Sequence, residues 1–576
     1  MRVHNIAIAD IFNELADLLE IKGENPFRIR AYRNAARTVA ALPQDIGELL
    51  DKGEDLSSLP GIGKDLAGKI EEIASTGHLA VLDKLEEKLD PQLIELMRIG
   101  GLGGKRVGAI YSKLGVHTLE GLEEAAKEHR ISKLPGFGEK IEQSILEGIE
   151  KRRQQGDRFD LLEAEETATY LTSYLQNSSI FKSVTVAGSF RRRKDTIRDL
   201  DILGICDDAG RASELFCSFP GVVKVVSSGG TRSTVILANR MQVDLRVVPQ
   251  ESFGAALHYF TGSQLHNIAV RRRGVKRGLK INEYGVFRGE ERIGGEREAD
   301  VFSAVGLSYI EPELREDAGE IEAAERGALP KLVELSDIRG DLHAHTTYTD
   351  GKVSLEGMVS AAREMGYEYL AITDHSQRLA MTGGLDEIML REQIGRIERL
   401  NGELKDFTVL KGIEVDILED GSLDLPDSVL RELDLCVCSI HSRFNLSFEK
   451  QTERILRAMD NPYFTIFAHP TGRVLNRRLP YEFDLDRVIG HARQRGCFFE
   501  INASPYRLDL SAQMARAAVE GGVKVAVNTD AHNIGDLKFM RFGISQARRG
   551  WIEKDGVINT RKGGKLRQLL RESRFK

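Results

Sequence analysis

The stretch DLHAHTTYTDG, residues 341–351, places His343 and His345 one residue apart and flanks them with Asp341 and Asp350. On extended backbone the side-chain direction repeats every two residues, so both imidazoles share a face. Two imidazoles on one face suit one metal ion. An isolated HxH is more often a polar loop, so the chain must supply further ligands. His375 ends YLAITDH, Glu414 lies in LKGIEVD, His441 ends CVCSIH, His469 lies in FTIFAHP, and Asp530 and His532 lie in AVNTDAH. Each apolar run has strand length, and a polar group follows at its C-terminal end. In a closed parallel α/β barrel those ends converge on one mouth. With Asp350, nine nitrogen and oxygen groups exceed the needs of one ion and suit two or three. Imidazole-rich sets favour Mn²⁺, Zn²⁺ or iron over Mg²⁺. Clustered metals can polarise a phosphoryl oxygen and activate water, chemistry suited to hydrolysis.

A second set is all oxygen. In RDLDIL, Asp199 and Asp201 lie two apart on a strand pattern, and Asp244 lies in QVDLRVV, a second apolar strand able to lie beside it. Three carboxylates on neighbouring strands suit Mg²⁺ shared with substrate phosphates. A DxD alone is usually a solvated face. Here it begins eleven residues after the first residue of GSFRRR, where Gly188 and Ser189 form a tight turn followed by three arginines. A glycine turn with a hydroxyl and guanidinium groups matches a triphosphate tail.

These groups need elements to position them. Residues 58–73 (SLPGIGKDLAGKIEEI), 98–114 (RIGGLGGKRVGAIYSKL) and 133–149 (KLPGFGEKIEQSILEGI) form a weak repeat of glycine turn and amphipathic helix. Gly61, Gly63, Gly101, Gly103, Gly136 and Gly138 permit positive φ and close backbone approach. The helix N-terminus that follows each turn offers unpaired N–H groups to a phosphate oxygen. From about residue 160 the texture turns β-rich, and RRRGVKRGLK, 271–280, has six basic residues in ten. Residues 311–336 read as an acidic, helical connector. Residues 337–576 alternate short apolar strands with helices, the pattern of a parallel α/β arrangement.

Length bounds the architecture. The 576 residues call for two to four domains. Charged residues make up 29% and hydrophobic ones 41%, with a net charge of −7. That describes a soluble protein whose basic surfaces are local. Cys206, Cys217, Cys436, Cys438 and Cys497 include no CxxC pair, which argues for a reducing compartment and against a thiolate zinc site. No apolar run reaches membrane-spanning length. The N-terminus patterns as an amphipathic helix rather than a signal peptide. A cytoplasmic protein is the expectation.

GSFRRR…DLD, Asp244, HYFTGSQLHN and LKINEYGVF together resemble the family X DNA polymerases of the polymerase β kind, over about residues 1–315. The turn repeat resembles the helix-hairpin-helix motif, which holds the DNA backbone without reading sequence. The resemblance implies catalytic, metal-binding roles for Asp199, Asp201 and Asp244, and triphosphate binding by Gly188, Ser189 and Arg192. Tyr259, Phe260 and Gly262 would form the wall that excludes a ribose 2′-hydroxyl. Asn267 would meet the incoming base edge, and Arg271 the template strand. Arg198 stands where polymerase β has glycine. Lys69 matches the Schiff-base lysine of the family's lyases, but Asp65 replaces a second local lysine. Phosphate contact and lyase chemistry both stay open for Lys69.

HxH, TDH, Glu414, His441, AHP and DAH resemble the PHP (polymerase and histidinol phosphatase) domain, a distorted seven-stranded barrel, over about 337–576. Asp350 stands where some relatives have histidine. The expected fold is thus multidomain, α plus α/β. A helical DNA-binding region spans 1–155, a polymerase β-like palm and thumb 156–315, a linker 316–336, and a (β/α)7 PHP barrel 337–576. The implied function is gap-filling synthesis in base excision repair, with 3′-end trimming by the barrel. Gapped or primed DNA and dNTPs are the implied partners, and a monomer is expected. The implied cofactors are Mg²⁺ or Mn²⁺ in the palm, and two or three Mn²⁺ or Zn²⁺ ions in the barrel. A non-templated nucleotidyltransferase fused to a small-molecule phosphatase, and a repair scaffold, are the alternatives.

Overall fold

Each glycine turn of the repeat leads into a helix: Lys64–Thr76, Gly104–Leu114 and Glu139–Gln155. Gly61 and Gly136 adopt φ of +76° and +83°, a region in which a Cβ is strained. Gly103 is instead an extended N-cap, with φ −91°. This computed structural model describes residues 5–40, 42, 46–76, 79–86, 91–97, 99, 102–155, 158–378 and 383–573. Gly101 lies outside them.

The chain divides into two units, Met1–Asp157 and Arg158–Lys576. In the first, the helix Asn5–Ile21 packs on Pro26–Ala40 and Gly104–Leu114. A Cβ on Gly104 would overlap the Asp17 backbone, so glycine sets how closely those helices cross. Phe12, Leu15, Ile70 and Ile73 centre one core, and Val107, Ile110, Leu122 and Ile145 another.

In the second unit, alternating apolar residues build a five-stranded sheet. Its order is Phe181–Val186, Asp199–Cys206, Gln242–Val247, Arg232–Leu237, Val222–Ser228. The pairing of Asp199–Cys206 with Gln242–Val247 is parallel and the others are antiparallel. Leu200 and Ile202 point into the core, which leaves Asp199 and Asp201 on the opposite face. The helices Phe253–Thr261 and Gln264–Lys276, a three-stranded sheet within 280–294 and the helix Glu298–Ala304 follow.

The segment read as a helical connector is helical only in short pieces, Pro312–Leu314, Glu320–Glu325 and the turn that starts at its end, Leu335–Asp337. It is packed along its length rather than free. Leu314, Ile321, Ala324 and Leu332 join one core, and Val333 joins the barrel core, its N–H bonded to Ile552 O at 3.0 Å. Burying apolar side chains on both sides outweighs the acidic helix pattern.

Residues 340–528 form a three-stranded and a five-stranded parallel sheet. The sheets share one kinked segment, because Thr408–Lys411 ends the first and Glu414–Asp416 begins the second. Gly412 sits at the kink, where a Cβ would come within 2.8 Å of Thr373. Counted once, that segment makes a seven-stranded barrel, closed by a bridge from Ala344 to Ala531. Among the described residues, no helix is long and apolar enough to cross a membrane.

Two candidate metal centres

Strand pairing sets the first centre. Asp201 lies opposite Asp244 in the parallel register, with Asp199 two residues before it. Gly188 has φ +63°, and any Cβ there would strike the Asp201 carboxylate, so the Gly188–Ser189 turn abuts the acids directly. Burial, reinforced by Asp199 and Asp244, pushes the Asp201 carboxyl up to about 7. The three carboxylates share a face but are not gathered into one ligand cluster. Arg198 holds Asp199 at 3.0 Å, while Thr234, Gln242 and Arg232 hold Asp244 at 2.5, 2.9 and 3.4 Å.

The arginines after the turn divide their work. Arg192 donates to Glu316 Oε1 at 2.9 Å and to the Thr261 carbonyl at 2.8 Å, tying the turn to the HYFTGS segment. Arg191 is taken up by buried Glu298, at 2.7 and 2.9 Å, and Arg193 by Glu165 at 2.7 Å. Three free guanidinium groups for a triphosphate are therefore not what the fold presents.

Tyr259 and Phe260 meet edge to face at 5.1 Å, and Arg246 lies 4.5 Å over the Phe260 ring. A Cβ on Gly262 would come 2.6 Å from Asn267 Oδ1. The Asn267 amide donates to the carbonyls of Tyr259 (2.7 Å) and Gly262 (3.3 Å), while its buried Oδ1 has no partner. Exposed Arg271 donates to Asn267 O at 3.3 Å. In the N-terminal unit Lys69 Nζ pairs with Asp65 at 2.5 Å.

The second centre lies at the barrel mouth. Three groups of atoms converge there: His343, His345, Glu414 and Asp530; His345, Asp350, His375 and His532; and His375, Glu414 and His441. Shared members make them one continuous cluster. His345 Nε2 lies 3.0 Å from Asp530 and 3.5 Å from Glu414, and His375 Nε2 and His532 Nε2 each lie 3.4 Å from Asp350. His469 stands behind these groups, its Nε2 3.0 Å from Glu414 Oε1. His469 and Asp530 both adopt positive φ, +27° and +56°.

Metal fit can be judged from atoms left over. His343 Nε2, His345 Nδ1, His375 Nδ1 and Glu414 Oε2 are buried and make no hydrogen bond, although they crowd together. Buried polar atoms without partners are costly, and lone pairs facing a common centre are what cations require. Burial, with His532 and His375 alongside, pushes His345 down to about 3, so its imidazole is neutral as a ligand must be. Burial opposes charge on His375 too, but Glu414 and Asp350 outweigh it and raise this imidazole to about 11.

A supporting layer went unread in the sequence. Glu500 accepts from His343 Nδ1 at 2.7 Å and from the His469 N–H at 2.8 Å. Asp416 accepts from His441 Nδ1 at 3.1 Å. Asp374 accepts from the Thr346 N–H at 2.7 Å, and Arg507 lies 3.9 Å from Asp530. Such carboxylates fix the tautomer of a ligating imidazole. Glu500 sits inside the strand Phe498–Asn502 rather than after it, so a search of strand ends passes over it.

The sequence aligns with a DNA polymerase/3′-5′ exonuclease PolX of Bacillus subtilis (strain 168), 39% identical over 565 residues, covering 97% of this chain and 98% of that one. The chain belongs to the PolX group of family X DNA polymerases. Family matches agree: a helix-hairpin-helix domain at 3–79, a SAM-like helix-hairpin-helix tandem at 93–151, a DNA polymerase beta thumb at 256–316 and a PHP domain at 341–502. A probable phosphatase of Thermoanaerobacter sp. (strain X514) is 30% identical over 244 residues, 41% of this chain and 91% of that protein. A probable phosphatase of Caldanaerobacter subterraneus is 30% identical over 247 residues. As members of metal-dependent families, the palm and the PHP domain both call for cations.

Proposed function

We propose that the palm of this PolX-group enzyme fills short DNA gaps from dNTPs, as in base excision repair, and that its PHP domain trims 3′ ends. One observation carries this reading: identity to a polymerase/exonuclease runs through 97% of this chain and 98% of its relative. A cytoplasmic monomer is the corresponding expectation.

In the palm, Asp199, Asp201 and Asp244 would hold Mg²⁺, or Mn²⁺, through oxygen alone. Such ions supply activation of the primer hydroxyl and neutralise the triphosphate. The chain does the positioning. Gly188 and Ser189 offer the turn that abuts Asp201 to the triphosphate, and Arg192 fastens that turn to Thr261 O. Tyr259, Phe260 and Gly262 wall the sugar. Asn267 holds that wall through two carbonyls and keeps Oδ1 for the base edge. Arg271 meets the template. Gly61, Gly63, Gly101, Gly103, Gly136, Gly138 and Lys69 serve backbone phosphates in the hairpin repeats.

In the PHP domain the nine groups His343, His345, Asp350, His375, Glu414, His441, His469, Asp530 and His532 would hold two or three Mn²⁺ or Zn²⁺ ions, which supply Lewis acidity toward a phosphoester. Glu500 and Asp416 turn their histidines so that Nε2 faces Glu414.

Two double mutants test the division of labour on the full chain. Asp199→Ala with Asp201→Ala is expected to abolish templated extension and leave release of a 3′-terminal nucleotide. His343→Ala with His345→Ala is expected to do the reverse. Loss of trimming along with extension in the first variant, with the protein folded and DNA-bound, would refute the two-site reading. The relatives named probable phosphatases support a second reading, hydrolysis of small phosphomonoesters in the PHP domain. Rates with p-nitrophenyl phosphate and with a 3′-labelled strand decide between them.

A further inference from the structure

Asp195 stands between the two centres. It follows the turn that begins at Gly188, and that turn is one hydrogen-bonded unit. Arg192 N–H bonds to Gly188 O at 3.3 Å, Arg193 N–H to Phe190 O at 2.9 Å, and Lys194 N–H to Ser189 O at 3.1 Å. Arg193 holds φ +55° within it. A displacement of Asp195 therefore passes through Lys194 to Ser189.

The carboxylate of Asp195 is gripped from the barrel. Its Oδ1 accepts from Arg549 Nη1 at 2.5 Å and its Oδ2 from Arg473 Nη2 at 2.9 Å. Arg549 is only 5% exposed and also donates to the Arg193 carbonyl at 3.3 Å. Arg473 in turn donates to the carbonyls of Arg507 (2.9 Å) and Leu508. The contact is continued on either side. Glu165 is shared by Arg193 of the palm and Arg541 of the barrel, and Leu508 and Phe542 of the barrel lie within the palm core. An exposed ion pair contributes little. Two arginines fixed on one carboxylate at an apolar seam hold a defined geometry, because removing one partner leaves a desolvated charge.

We propose that Asp195, clasped by Arg473 and Arg549, makes the PHP barrel a positioning element of the polymerase site: the barrel side chains fix the turn that receives the triphosphate. This rests on the polymerase reading of Gly188 and Ser189. Its consequence is that nucleotide affinity depends on Arg549, a residue of the hydrolase half that neither the triphosphate nor the cluster touches.

The test is steady-state filling of a one-nucleotide gap by full-length Asp195→Asn, Arg549→Gln and the double variant, with release of a labelled 3′ nucleotide measured alongside. KM for the dNTP is expected to rise about tenfold with kcat within roughly twofold, because positioning is lost while the acids stay in place. The double variant is expected to match the worse single one, since both remove the same contact. Asp195→Glu restores the carboxylate and is expected to recover most of the loss. Trimming is expected to stay at the wild-type rate. Arg549→Lys keeps a cation but loses the fork, and supplies the same readout if a charge-neutral variant is insoluble. An unchanged KM, or extension and trimming falling together, would overturn the brace. A wild-type protein that extends no primer would instead overturn the polymerase reading itself.

Discussion

His343 Nδ1 donates to Glu500 Oε1 at 2.7 Å, and both side chains are fully buried. The carboxylate fixes the tautomer, so Nε2 carries the lone pair that faces Glu414 and Asp530. Glu500 accepts at both oxygens, from Asn528 and Asn502 as well as from His343 and His469. Glu500→Gln puts an amide donor among donors. Metal affinity of the PHP domain is expected to fall about 10–100-fold, and 3′-nucleotide release with it, while gap filling is retained. Metal titration of the full chain is the measurement. Wild-type affinity in the variant would show that Glu500 does not orient a ligand.

Glu298 gives a pH dependence of stability. Burial opposes its charge, but hydrogen bonds and ion pairs from Arg191 and Arg315 outweigh burial and hold the carboxyl down to about 2. A folded-state value below the unfolded one stabilises fully above the unfolded value, near 4.5, and the contribution fades as pH falls from there toward 2. Glu298→Gln is expected to cost on the order of 3 kcal/mol at pH 7. The gap between variant and wild type is expected to narrow steadily below pH 5. Urea midpoints at pH 7, 4 and 3 check this; a gap that stays constant across them would remove Glu298 from the account.

What was legible in the sequence was local. The two-residue spacing of Asp199 and Asp201 sets their common face, and the strand register brings Asp244 beside them. The barrel histidines were legible because each follows an apolar strand, His343 and His345 sharing one. Pairings across the fold were not. Arg191 and Arg193 follow a phosphate-type turn, yet Glu298, 107 residues on, and Glu165 claim them, and nothing near either arginine signals it. Asp195 reads as an ordinary loop acid because its partners lie more than 270 residues away. The kink at Gly412 was likewise hidden, since LKGIEVD patterns as a single strand but its halves belong to different sheets.

The hairpin repeats predict a DNA preference. Gly61 and Gly136 turn the chain so that the helices Lys64–Thr76 and Glu139–Gln155 begin with unpaired N–H groups. Binding to gapped DNA with a 5′-phosphate is expected to exceed binding to blunt duplex. Affinity is expected to fall by roughly tenfold or more between 50 and 200 mM salt, as counterions return to the phosphates. Fluorescence anisotropy across that range is the measurement. Equal affinity for both DNAs at every salt concentration would exclude the preference.

Gly188 separates the two chemistries by a single methyl group. At φ +63° an alanine costs roughly 1–2 kcal/mol through its backbone alone. Its Cβ would also fall on the Asp201 carboxylate, so the acid, which lies opposite Asp244 across the strands, must shift from its place. Misplacing a metal-binding oxygen by about 1 Å is enough to cost on the order of 10²-fold in rate. Gly188→Ala is therefore expected to lose gap filling by at least that factor. The metal-binding groups of the PHP cluster include no residue of this turn, so trimming is expected to persist. A thermal melt lowered by a few degrees would match the backbone cost, since 1 kcal/mol shifts the midpoint by about 2–4 °C in domains of 150–250 residues. Extension within twofold of wild type would mean that the turn and Asp201 do not share a site.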